Sequence, residues 1–332
     1  MIHYFLRRLL YVVVTLWVIS IVTFVIINLP PGDYVSTLVA QASARGEEVT
    51  NAEVIALKAR YGLDEPILVQ YWKWFSAIIF HGDFGQSFAW NQPVAGLIGE
   101  RVALSATLSI SSLLLVWAIA FPIGIYSAVK QYSWGDYSAS FLGFIGMAIP
   151  EFMLALVLMY VGFRFFGQSV GGLFSPEFAD ADWNLGKVLD LIGHLWVPIL
   201  VIGVSGTAGM IRVTRANLLD ELYRPYVATA RAKGLPEWKL LLKYPVRMSL
   251  SPFFSTVGWL LPGLIGGETI VSVVMSLPTG GPLLLSGVMA QDMYLVGSFI
   301  IILSTLTVIG TMISDLALAW WDPRIRKRYK RE

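Results

Sequence analysis

Apolar residues come in long runs with polar punctuation between them. Six runs, Leu9 to Leu29, Val102 to Val129, Ser138 to Phe166, Leu195 to Val213, Pro252 to Val274 and Val296 to Trp321, meet or approach bilayer length. A helix needs about 20 apolar residues to cross the hydrocarbon core. The pattern therefore predicts an all-α integral membrane protein with six transmembrane helices. An even number places both termini on one side. The first run is longer than the apolar part of a signal peptide and no small-x-small cleavage site follows it, so it reads as a retained span. Pro30, Pro31 and Gly32 stop it.

Between the first two runs lies a long mixed segment, Pro30 to Arg101. Asn51 to Arg60 has helical spacing, with Asn51 as candidate N-cap and Gly62 as its end, and Pro66 to Phe80 is a second amphipathic stretch. Its Tyr71, Trp72, Trp74 and Phe75 are residue types that suit a membrane–water interface. The segment is expected to form a folded cap on the outer leaflet and to offer a docking surface to an extracytoplasmic partner.

The most distinctive polar stretch is Tyr226 to Lys243, a basic island in an otherwise membranous chain. Pro225 suits the start of a first helix, Gly234 suits a left-handed C-terminal cap, and Pro236 suits the start of a second helix. An ordinary basic loop would explain the charges but not this Pro-helix-Gly-Pro-helix order.

Composition agrees with the runs: of 332 residues, 56% are hydrophobic and only 14% charged, too apolar for a soluble chain of this length. The placement of charge matters more than its sum. Arg7, Arg8, Lys130, the cluster from Arg212 to Arg247 and the tail from Arg324 onward share one side, whereas Glu177, Asp180, Asp182 and Asp190 lie opposite with Lys187. The positive-inside rule then makes both termini cytoplasmic. The outer segment counts little here, because long loops translocate regardless of charge.

Few residues point to chemistry. The chain has no cysteine, which excludes thiolate metal sites, disulfides and cysteine nucleophiles. His3, His81 and His194 lie far apart with no metal-ligand spacing. No GxxxxGK[ST] phosphate cradle and no GxSxG elbow occur, and Ser205 in GVSGTAG reads as part of a small-residue packing face. Active transport would draw its energy from another subunit or from an ion gradient. Ionisable groups in or near the runs are few: Glu151 beside Pro150, Glu268 after Gly266 and Gly267, Asp315 and Arg164.

YVATARAKGLPEWKLLLKYPVRMSLSP resembles the cytoplasmic coupling loop, the EAA loop, of inner-membrane permeases of ATP-binding cassette importers, in particular the dipeptide and oligopeptide permease group. FLRRLLYVVVTLWVISIVTFVIINLPPGD, YGLDEPILVQYWKWF, HGDFGQSF, PVAGLIGERVALSATLSI and DPRIRKR resemble further landmarks of that group in the same order. The resemblance implies the type I ABC importer permease fold: six helices, cytoplasmic termini and a large extracytoplasmic segment between helices 1 and 2. Residues 1–101 would hold the first span and that segment, 102–323 a five-helix core with coupling loop 214–250, and 324–332 a basic tail.

It further implies a bacterial or archaeal cytoplasmic (inner) membrane, a second homologous permease completing a heterodimer, two cytoplasmic ATPases and an extracytoplasmic solute-binding protein. The chain itself would carry no cofactor and bind no nucleic acid, with ATP and Mg used by the ATPases. Tyr226, Thr229, Ala230, Arg231, Ala232, Lys233, Gly234 and Leu235 are the implied ATPase contacts. Ala228, Ala230 and Ala232 leave a slim face, and Arg231 and Lys233 supply charge.

Ala228 stands where the wider superfamily has a glutamate, and Thr229 takes the first alanine position. Met147, Pro150, Glu151 and Glu268 are candidates for the translocation path. The expected cargo is a short peptide. Leu277, Pro278, Thr279, Gly280 and Gly281 resemble a variant associated with oligosaccharide carriage, which keeps that cargo as an alternative. A stand-alone ion-coupled carrier is the rival of another class, and a membrane scaffold a weaker third.

Overall fold

The computed structural model describes residues 2–29, 32–45, 49–167, 170–251, 253 and 269–321. In chain order the helices are α1 (Ile2–Ile27), α2 (Tyr34–Ala44), α3 (Asn51–Tyr61), α4 (Ile67–Ser76), α5 (Val94–Val129), α6 (Trp134–Ala148) and α7 (Glu151–Phe166). They continue as α8 (Leu185–Leu222), α9 (Pro225–Ala232), α10 (Glu237–Lys243), α11 (Pro245–Ser249), α12 (Thr269–Val274), α13 (Gly280–Met289) and α14 (Met293–Trp321). A π-helical turn, Ala77–His81, continues α4. Extended pairing among the described residues is confined to one antiparallel bridge, Gln86 to Pro93.

Four of these helices, α1, α5, α8 and α14, contain stretches long and apolar enough to cross a membrane. The run Ser138 to Phe166 is not the single straight span its hydropathy predicts. It is broken into α6 and α7, bent by 92°. The break falls at Pro150: Ile149 before it leaves the helical region at φ −86°, ψ 119°, the conformation that the ring of a following proline favours. Counted as one span, the pair makes a fifth. Of the run Pro252 to Val274 only Phe253 and α12 are described, and Glu268 and the basic tail lie outside the described residues.

The chain forms two compact units. The first is drawn from Met1–Leu104 and Thr279–Val308, so α13 and the start of α14 group with the first span and the outer segment. Its core gathers Phe24, Trp74, Phe88 and Met293. Tyr71, Trp74 and Phe75 recur at helical spacing on α4, and this face is covered by its neighbours: Tyr71 packs edge-on to Phe24 at 5.3 Å between ring centres, and its hydroxyl lies 2.9 Å from Ser20 Oγ. Such an edge-to-face pair is worth about 1 kcal/mol beyond its buried area. Of the four aromatics, only Trp72 is exposed.

Helix α3 begins one residue earlier than expected. Thr50, not Asn51, caps it, and Glu53 closes a capping box on the Thr50 N–H at 2.8 Å. Gly62 ends it in the left-handed region as predicted.

The polar centre of this unit is Asp292, which is fully buried. Its carboxylate accepts from Ser87 Oγ at 2.5 Å, from the Ala89 N–H at 3.1 Å and from the Leu295 N–H at 3.1 Å. The loop that carries Ser87 turns at Gly85, whose φ of +79° and position 2.5 Å from the Tyr294 ring at a hypothetical Cβ leave room only for glycine.

The second unit is drawn from Ser105–Pro278 and Ile309–Glu332. Its axis is α8, 38 residues long and thus about 57 Å at 1.5 Å per residue. The GVSGTAG stretch lets neighbours approach closely: Gly203 and Gly206 face Leu115 and Val116 of α5, and a Cβ on Gly146 of α6 would lie 3.3 Å from Val204.

Candidate functional site

The polar island folds as its punctuation predicts. Pro225 occupies the first turn of α9, where its missing N–H is no loss. The helix ends at Lys233, and Gly234 follows at φ +76° with its N–H donating to the Arg231 carbonyl at 3.0 Å. Pro236 then stands at the N-cap of α10, and Pro245 opens α11.

Burial divides the residues of α9 into two faces. Val227, Ala230 and Leu240 form a small core with Tyr226, Leu235, Leu241 and Tyr244 packed around it. Ala230 therefore belongs to the inside of the loop, which corrects the reading of Ala228, Ala230 and Ala232 as one slim surface. The exposed face is Ala228, Thr229, Arg231, Ala232, Lys233 and Gly234, with Leu235 half-buried at its edge. Helical geometry explains the split: residues 227 and 230 lie three apart and share a side, and 228 and 232 lie four apart on the other.

Charge on that face is partly neutralised. The Arg231 fork meets the Glu237 carboxylate at 2.5 and 3.2 Å, bridging the Gly234 turn from α9 to α10. The guanidinium holds the Glu237 carboxyl below the ordinary glutamate range, and the same contact raises Arg231. Both side chains are more than half exposed, so solvent screens the pair and its role is geometric more than energetic. Lys233, beside Gly234, has no salt bridge among the described residues. The Tyr226 hydroxyl donates to Glu221 at the end of α8.

The loop is continuous with the membrane-embedded part of its unit. Val246 of α11 packs with Ala128 of α5 and Leu218 of α8, and Leu222 and Leu250 flank them. Asn217 Nδ2 donates to the Ser249 carbonyl at 3.4 Å. Packed side chains thus join the α11 end of the loop to α8 and the end of α5.

Among the path candidates, Met147, Pro150 and Glu151 come together at the α6–α7 break. Met147 and Pro150 are exposed and Glu151 is half-buried at the start of α7, within hydrogen-bonding reach of Ser205 on α8. Ser205 thus has a polar partner inside the small-residue face. Glu268, the fourth candidate, lies outside the described residues.

Sequence reasoning missed the Arg231–Glu237 clasp, although opposite charges flanking a Gly-x-Pro turn are a readable signal. It also missed the bond between Asp136 and Arg215, which are 79 residues apart with no local signature.

Two family models cover most of the chain: one described as binding-protein-dependent transport system inner membrane component matches residues 120–327, and the corresponding N-terminal model matches residues 1–111. The chain is 34% identical to the oligopeptide transport system permease protein AppB of Bacillus subtilis over 324 residues, 97% of this chain and 98% of that protein. It is 31% identical to the glutathione transport system permease protein GsiC of Salmonella typhimurium over 329 residues, 98% of this chain and 99% of the relative. The same protein from Escherichia coli O1:K1 matches to the same extent.

Proposed function

This chain belongs to the family of binding-protein-dependent transport system inner membrane components, and on that membership we propose that it lines half of an import path for short peptides, with α9 and its Gly234 turn as the point where ATPase motion enters. It is a multi-pass inner-membrane permease subunit of an ABC importer and is not itself the ATPase. In this reading it crosses the membrane six times with both termini cytoplasmic, the fifth crossing in chain order including α12. Loop 214–250 is cytoplasmic and meets one of two ATPases that use ATP and Mg. A second, different permease completes the path, and the outer segment 30–101 receives the solute-binding protein.

The observation that carries the coupling assignment is the two-faced construction of α9. Its inner face, Val227 and Ala230, is spent on packing with Leu240 of α10, while small residues and Lys233 remain outside, so a partner groove has close access to the backbone. Tyr226, Ala230 and Leu235 keep the shape of this contact, and Thr229, Arg231, Ala232, Lys233 and Gly234 make it. Rocking α8 through the loop would open the path alternately to either side, with Met147, Pro150 and Glu151 at the helix break as lining.

The test is Gly234→Val in the complete importer reconstituted in liposomes. An added Cβ there meets nothing of this chain within 4 Å, so within the subunit the change acts through strain at a left-handed backbone. Uptake and cargo-stimulated ATP hydrolysis should both fall severalfold; normal values for both would exclude the loop as the energy input. The peptide cargo rests on the names of the relatives, which include oligopeptide and glutathione permeases. A binding screen of the cognate solute-binding protein against peptides and oligosaccharides decides it, since selective capture of an oligosaccharide would replace the peptide.

A further inference from the structure

Helix α8 leads straight into α9, but the helix break with the path candidates lies at the far end of α6. Between them is a buried charge pair. Arg215 Nε and Nη2 each donate to one oxygen of Asp136, both at 2.8 Å, in a bidentate fork. Asp136 is almost wholly buried, and the Arg215 side chain is three-quarters covered. Asp136 also fixes its own end of α6: its Oδ2 accepts from the Tyr132 N–H at 2.9 Å, and its N–H donates to the Ser133 cap.

The surroundings leave this joint little play. One residue before Arg215, Thr214 is fully buried against α5, where a Cβ on Gly124 would lie 2.8 Å from it. On the other side, a Cβ on Gly135 would lie 2.5 Å from the Tyr126 ring. The start of α6 and the ends of α5 and α8 are therefore fastened together around the pair, about two turns before α8 ends at Leu222.

We propose that Asp136 and Arg215 are positioning residues for transport: the fork makes α6 follow α8, so that loop motion reaches the break at Pro150 instead of being lost as sliding between the two helices. This rests on the reading of α9 as the energy input. A two-point fork suits the task because it resists rotation as well as separation, which a single hydrogen bond or an apolar contact does not. A purely structural bond would affect how much importer assembles, whereas a transmitting bond affects how much cargo moves per ATP.

The experiment uses the complete importer in liposomes and reads uptake and ATP hydrolysis together. Asp136→Asn and Arg215→Gln each leave one charge buried, so the double variant D136N/R215Q, which buries none, is the variant that keeps the fold accessible. In the double variant, cargo-stimulated hydrolysis should remain within about twofold of the parent while uptake per ATP falls at least fivefold. Arg215→Lys, which keeps the charge and loses the fork, should fall between.

An unchanged ratio of uptake to hydrolysis in an assembled double variant overturns the proposal. So does failure of the double variant to assemble, because the pair is then a folding element. Gly234→Val separates the two readings. If that change is silent while the double variant uncouples, the Gly234 turn is not the energy input, and the fork transmits motion that enters α8 by another route. If Gly234→Val abolishes stimulation while the double variant is normal, the reverse holds.

Discussion

The Asp292 centre and the α9–α10 turn are both polar, and they are built in opposite ways. Asp292 is sealed, and its carboxylate meets donors from Ser87, Ala89 and Leu295 inside its own unit. The α9–α10 turn keeps its one clasp, Arg231 to Glu237, on the outside and shows the backbone of Gly234 with nothing near it. Buried polar groups must be satisfied internally because an unpaired one is costly, so the first region is closed to partners. The second leaves its surface open, and stability gains little from it. The difference separates residues that hold the molecule together from residues whose surface is left open.

The largest expected effect therefore lies in the closed region. Asp292→Ala leaves the Ala89 and Leu295 N–H groups and the Ser87 hydroxyl without their acceptor, and should lower stability by about 3 kcal/mol. Thermal melting of the purified complex measures this, and a loss comparable to that of surface variants would break the contrast. Gly85→Ala comes next, since it combines a left-handed backbone with a clash against Tyr294. About 2 kcal/mol is expected from strain and overpacking, and Tyr294→Ala in the same background should recover part of it.

The open region should respond more weakly in stability. Gly234→Ala carries strain alone, roughly 1 kcal/mol, and its melting temperature should barely move while uptake falls. Glu237→Gln is the mildest, with only a small shift in melting at neutral pH, because the pair is exposed and screened by solvent. Because Arg231 lowers the Glu237 pKa, the small contribution of the clasp is present above the ordinary glutamate range and is lost as pH falls through the lowered value. The parent and Glu237→Gln should thus converge in acid and differ most near neutrality. A difference that grew as the pH fell would reverse the assignment.

The α9–α10 turn was legible in the sequence because proline and glycine act on their own backbone. Pro225, Gly234 and Pro236 dictate their conformations whatever surrounds them. The same holds for Gly62 at the end of α3. The bend at Pro150 was not read, because hydropathy sums apolar character along a run and is blind to its direction, although the proline itself was in view. Tyr71, Trp74 and Phe75 were assigned to the lipid interface for a similar reason: an aromatic suits an interface or a core, and only a neighbour decides.

By itself, then, the sequence determined the apolar stretches and the two short helices hinged at Gly234, since these follow from local backbone rules and the length of a bilayer. Only the tertiary structure decided that Ala230 turns inward while Ala228 and Ala232 remain outside, that Arg215 finds Asp136, and that Asp292 finds Ser87 205 residues away. Those outcomes depend on which surfaces are brought together across long stretches of chain. No local pattern of residues encodes that.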